Sequence, residues 1–125
     1  MAANPSSSGT DDLALPEITD EQMREGLASS RGYAVVLLHR GPAYDSADSP
    51  GLIWEHGRRN FALRAAGVLS IVCPVPDDSE LCGVGLFATS VEETQRVMAD
   101  DPAVQAGVFT VEVHPCRSFP GDALP

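Results

Sequence analysis

The sequence predicts an α+β domain, and three observations carry that prediction. Four apolar or β-branched runs, 33–39, 68–73, 82–88 and 108–113, read as strands. Two longer stretches with helical spacing, 52–66 and 90–101, follow the first and third of these runs. The chain has 125 residues, which suits one hydrophobic core and would starve two.

The elements follow in order. Residues 1–16 are rich in Ser, Gly, Asp and Pro, have little to bury, and are expected to form a disordered arm. Residues 17–31 form an N-terminal extension around one short helix, with Thr19 as N-cap and Gln22 closing a capping box. That helix stops at the Ser29-Ser30-Arg31-Gly32 breaker and is too short to persist without docking. The domain proper spans 32–116. Its first strand is apolar at every position from Tyr33 to Leu38, so it wants burial on both faces. Residues 41–51 form a long polar loop of the kind that often carries function. The helix over 52–66 is closed by Gly67 as a C′ glycine. The second strand ends in the turn Pro74-Val75-Pro76-Asp77-Asp78, and the third runs from Cys82 to Ala88. Ser90 and Glu93 cap the second helix, which stops near Asp101 because Pro102 disfavours α geometry at the residue before it. The fourth strand ends at Val113, and 117–125 is a tail. The order β-α-β-β-α-β is the split βαβ, or ferredoxin-like, arrangement: four antiparallel strands with both helices on one face. The bare face of such a sheet, apolar along 33–38, predicts a homodimer through the sheet. Coverage by the arm or the tail is the alternative.

Composition removes several classes of function. The net charge is −10, and all eight cations are arginines that form no basic stripe, so nucleic acid is not an expected partner. The longest uninterrupted apolar stretches, 34–38 and 65–68, are far shorter than a membrane span. The first twelve residues have no basic n-region and no apolar h-region, so no signal peptide is expected and the cytoplasm is the expected location. Cys73, Cys82 and Cys116 are odd in number and lack a C-x-x-C, which reads as three small buried apolar residues rather than a disulfide framework.

Topology says which polar residues can meet. The end of the first strand, the start of the first helix and the end of the second helix share one edge of the domain. His39, His56 and Asp101 fall there, beneath the 41–51 loop, while His114 is expected at the opposite edge. At 100° per residue Asp101 lies within the apolar stripe of Val91, Thr94, Val97 and Met98, so it points inward, and Asp100 points to water. His56 shares a face with Leu52 and Leu63, with Asn60 nearby; Trp54, Phe61 and Ala65 on the other side suggest a helix packed against two layers. An inward carboxylate needs a partner, and His56 is the candidate. Such a pair works as a general base, because the carboxylate fixes the imidazole tautomer and stabilises the imidazolium. Periodicity alone suits a structural polar pair equally well. A metal site from His39, His56 and Asp101 lacks ligand spacing, and no phosphate loop or serine elbow is present, so neither metal nor other cofactor is expected. Arg58, Arg59 and Arg64 make a solvated basic face, or one of them draws an anionic substrate to the site.

His56, then Gly67-Val68-Leu69, then Cys73-Pro74-Val75-Pro76-Asp77-Asp78 resembles the histidine, glycine and turn pattern of the YCII-related (YciI-like) family. The stretch Ala99-Asp100-Asp101-Pro102-Ala103-Val104-Gln105-Ala106-Gly107-Val108-Phe109 is similar to that family's Asp-Pro followed by Ala-Gly. The resemblance covers 33–116. It implies a dimeric α+β barrel, two ferredoxin-like units closing sheet against sheet, and a His-Asp site carried here onto His56 and Asp101. Relatives of that kind include a dehydrochlorinase of chlorinated hydroxyhydroquinones and, on the same barrel, the muconolactone isomerases. Two departures stand out: Cys73 occupies the place of a family glycine, and the first 30 residues have no counterpart. The expected function is a cofactor-free lyase or isomerase acting on a small anionic or phenolic ring. His56 is its base and Asp101 its orienter, with Asn60, Tyr44, Arg59, Cys73 and His39 as substrate contacts. The alternative is a non-catalytic, ligand-binding or structural homodimer, whose sign would be a His56–Asp101 pair sealed away with no pocket beside it.

Overall fold

A computed structural model describes residues 13–125, so most of the expected N-terminal arm lies outside the described residues. The described residues divide into two compact units, 31–118 and 13–30 with 119–125. In the smaller unit, helix α1 (Asp20–Ala28) carries the expected capping box: the Thr19 hydroxyl accepts from the Gln22 N–H, and the Gln22 side chain accepts from the Thr19 N–H. No residue of α1 is buried, and Met23 and Leu27 stand exposed.

The larger unit is α+β with one antiparallel sheet in the order β2-β3-β1-β4. Its elements are β1 (Arg31–Arg40), α2 (Ser49–Ala65), β2 (Leu69–Pro74), β3 (Leu81–Phe87), α3 (Val91–Ala99), α4 (Pro102–Gln105) and β4 (Phe109–Ser118). Alternate residues of β1, Ala34, Val36 and Leu38, are buried and join Leu69, Phe87, Met98, Ala103, Val108 and Phe109 in the core. The other parity, Tyr33, Val35, Leu37 and His39, takes the opposite face, where Val35 and Leu37 lie beside Leu86 and Val84 of β3.

Four boundaries differ from expectation, each for a physical reason. Helix α2 starts three residues earlier, because Pro50 falls in its first turn, where no intrahelical N–H is needed. The second helix ends at Ala99 rather than Asp101. Asp101 instead sits in extended geometry and caps the separate turn α4, as a residue before proline prefers. Strand β4 runs five residues past Val113, through Pro115, which is tolerated because β4 is a sheet edge and the missing N–H breaks no ladder. The other edge, β2, ends on Pro74. The paired strand end Arg31↔Ser118 also converts the expected breaker at 31–32 into strand.

Two further expectations are corrected. None of the three cysteines is fully buried; all are free thiols, with Cys73 exposed. Trp54 and Phe61 on α2 are 70% and 63% exposed, so the helix has one buried side rather than two. No described helix is long and apolar enough to cross a membrane.

Candidate functional site

Asp101 is the hinge of the site. As N-cap of α4 its Oδ2 accepts from the Ala103 N–H (3.0 Å) and the Val104 N–H (3.2 Å), which leaves Oδ1 for the neighbouring helix. His56, in the middle of α2, donates to it from Nδ1 at 2.9 Å. The carboxylate is fully buried and the His56 side chain nearly so, at 10% exposure. Burial pushes the Asp101 carboxyl up. The His56 hydrogen bond and charge, with the Val104 and Ala103 N–H groups, outweigh that and hold it below the ordinary carboxylate value. Arg59 adds charge without a hydrogen bond: its Nη1 lies 3.8 Å from Asp101 Oδ1, buried and otherwise unpartnered.

With Nδ1–H committed to a carboxylate, the neutral imidazole has its lone pair on Nε2. That nitrogen accepts from the Asn60 amide at 3.2 Å, one helical turn along α2. Phe109 meets the ring edge to face at 5.0 Å, which fixes its plane.

A cavity of about 210 Å³ opens beside this pair, between α2 and the sheet. Val36, Leu38, Ile53, Leu69, Val72, Phe87, Met98 and Phe109 make it apolar, and His56 and Asn60 form its polar wall. Glycines make the room. Gly83 and Gly85 leave Phe87 as the one large side chain on the buried set of β3, and Gly57 of α2 has no atom beyond its own helix within 4 Å of where a Cβ would stand. In size the hollow suits a single substituted ring, since a core cavity of about 150 Å³ elsewhere holds benzene.

Of the residues singled out from the sequence, His56, Asp101, Asn60 and Cys73 come together here; Cys73 borders the cavity from the edge strand. Arg59 supports Asp101 instead of lining the cavity. Tyr44 stands behind Phe109, with ring centroids 6.2 Å apart. His39 does not join. Its parity on β1 turns it to the other face of the sheet, where its Nε2 meets Glu112 Oε1 at 2.7 Å. His114, expected at the far edge, reaches the other oxygen of the same carboxylate at 3.0 Å. The His114 and His39 hydrogen bonds hold the Glu112 carboxyl below its ordinary value. The trio His39, His56 and Asp101 is therefore split between two faces.

Three residues that shape the site escaped the sequence reading: Gly57, Phe109 and Arg40. Arg40 follows Leu38 on the cavity face of β1, pairs with Phe109 across to β4, and lays its guanidinium over the Tyr44 ring at 4.8 Å. Beside it Cys82 borders the cavity, and burial raises the pKa of that thiol against the opposing charge and hydrogen bond of Arg40, which favours the neutral thiol. No protein-family model matches the chain, and no curated protein matches it.

Proposed function

We propose that this protein is a cofactor-independent enzyme of the lyase or isomerase type, in which His56 removes a proton from carbon on a small cyclic substrate. One observation carries the reading: the Nε2 of His56, backed by a buried carboxylate on Nδ1, faces an apolar cavity instead of packed core. A purely structural pair needs no cavity. The resemblance to the YCII-related family adds to this reading, because its histidine and aspartate fall on these two residues.

The chemistry follows from the hydrogen bonds. A substrate C–H enters where the Asn60 amide now points, and Nε2 takes its proton. Asp101 stabilises the imidazolium through Nδ1–H. The released electron pair moves into a conjugated carbonyl, and the freed Asn60 N–H can donate to the oxygen that gains charge. Return of the proton to another carbon completes an isomerisation; loss of a leaving group completes an elimination.

Solvent deuterium exchange tests this without knowledge of the natural substrate. In D2O, small cyclic enones and hydroxyquinones should gain deuterium at the acidic carbon in the presence of protein. His56→Gln should slow that exchange by about 10²–10⁴-fold. Compounds that bind in the cavity yet do not exchange would leave a ligand-binding protein as the better reading.

The same reading includes a homodimer closed through the sheet face that bears Val35, Leu37, Val84 and Leu86. Light scattering should give twice the 13.2 kDa chain mass, and Leu37→Glu should halve it. A wild-type monomer would overturn this part.

A further inference from the structure

We infer that Arg40 is the anion anchor of the cavity, so that the preferred ligand is a small ring bearing a carboxylate or comparable oxyanion. The inference deepens the reading of His56 as a base and rests on it. Val36, Leu38 and Arg40 are successive residues on one face of β1, and the first two line the cavity. Arg40 thus continues the lining row by one step, about 7 Å further along the strand. Its partner across the ladder, Phe109, borders the cavity and also contacts His56. A ring lying along Phe109 therefore has the imidazole at one end and the guanidinium at the other.

The guanidinium reaches the Cys82 sulfur and is otherwise unanswered. Tyr44 supports its face at 4.8 Å, yet its Nε is buried without a hydrogen-bond partner. No described carboxylate forms an ion pair with it. Asp77, which feels its charge, binds Ser79, and the Glu80 carbonyl accepts from the Arg40 main-chain N–H, not from the guanidinium. A half-buried guanidinium whose Nε has no partner is an open set of donors in a chain with 18 acidic residues against eight arginines. A planar fork of donors at the end of an apolar slot matches a carboxylate attached to a ring. The cavity lining itself carries no arginine or lysine.

The test is an NMR titration of the full chain with benzoate and with its neutral analogue benzamide. Benzoate should shift the Phe109 and His56 amides and bind more tightly than benzamide. Arg40→Met should weaken benzoate by about tenfold or more while leaving benzamide unchanged, which also shows that the variant keeps its cavity. Arg40→Lys, which keeps the charge and loses the fork, should fall between. Benzoate binding that is indifferent to Arg40→Met, or no tighter than that of benzamide, overturns the assignment, as does failure of both probes to bind. Gly57→Leu separates the two proposals, since it fills the cavity without touching Arg40. If it abolishes benzamide binding while Arg40 proves irrelevant, the cavity reading stands and only the anchor falls. If it leaves both probes bound as before, the cavity is not the site and both readings fail.

Discussion

Asp101→Ala should lower the stability of the fold by about 3 kcal/mol in urea unfolding, because it leaves the buried Nδ1–H of His56 without its charged acceptor and removes a helix cap at the same time. The imidazole Nδ1–H, the Ala103 N–H and the Val104 N–H all lose their acceptor. Asp101→Asn divides this effect. Its amide oxygen still caps α4, so most of the stability should remain. Its NH2 must then face His56 and donate to Nδ1, which leaves Nε2 protonated and unable to act as a base. Deuterium exchange should therefore collapse in a variant that stays folded. The pH dependence has a definite sign. The folded carboxyl lies below the ordinary value of about 3.9, so its contribution is complete above that value and is lost as pH falls through the lower folded one. Asp77 and Glu112 are lowered too, so the readout is the difference between wild type and Asp101→Asn. That difference should shrink below about pH 4.

Gly41→Ala is expected to cost about 3 kcal/mol, at the upper end of ordinary overpacking. An added Cβ would press into the Gly107 carbonyl oxygen and stand 3.0 Å from the Gly107 carbonyl carbon and 3.1 Å from that of Val108. These are backbone atoms and have no rotamer by which to yield. The Gly41 N–H donates to the Val108 carbonyl and the Ala43 N–H to the Gly107 carbonyl, both at 2.8 Å, so separating the two segments loosens both bonds. Arg40 and Tyr44 flank this junction, so binding at the cavity mouth should suffer along with the melting temperature. Gly67→Ala is the control. Its φ of +76° demands a glycine for backbone reasons, but open space surrounds it, so its cost should be smaller and leave ligand binding alone.

What could be read from the sequence, and what could not, divides along physical lines. The order of strands and helices, the capping box at Thr19 and the C′ glycine at Gly67 are local signals, and local signals survive in a single sequence. His56 and the inward Asp101 were legible because helical spacing marks a face, even though Asp101 turned out to cap α4 and not to end a longer helix. The parity of β1 was not legible. A strand apolar at every position from Tyr33 to Leu38 does not say which alternate set meets the helices. The sequence therefore points to His39, whereas the fold turns His39 to the other face and leaves Arg40 on the side of β1 that carries Val36 and Leu38. The cavity escaped for a related reason: it consists of absent side chains at Gly57, Gly83 and Gly85, and a glycine in a strand or helix reads only as weakness until its neighbours are known. The close approach at Gly41 is a contact across 66 residues and has no local signature.

The placement of two prolines constrains how this protein can grow into larger assemblies. Each outer strand of the sheet carries one, Pro74 at the end of β2 and Pro115 in the middle of β4, and β4 adds Glu112 and Arg117 along the same rim. A strand from another molecule that tried to extend the ladder would meet a missing N–H and charged side chains on the β4 side, and a short strand capped by proline on the other. Ribbon-like, edge-to-edge polymerisation is thereby discouraged at both rims. In the dimer proposed above, copies stack their sheets broadside, an arrangement that closes after two and does not propagate.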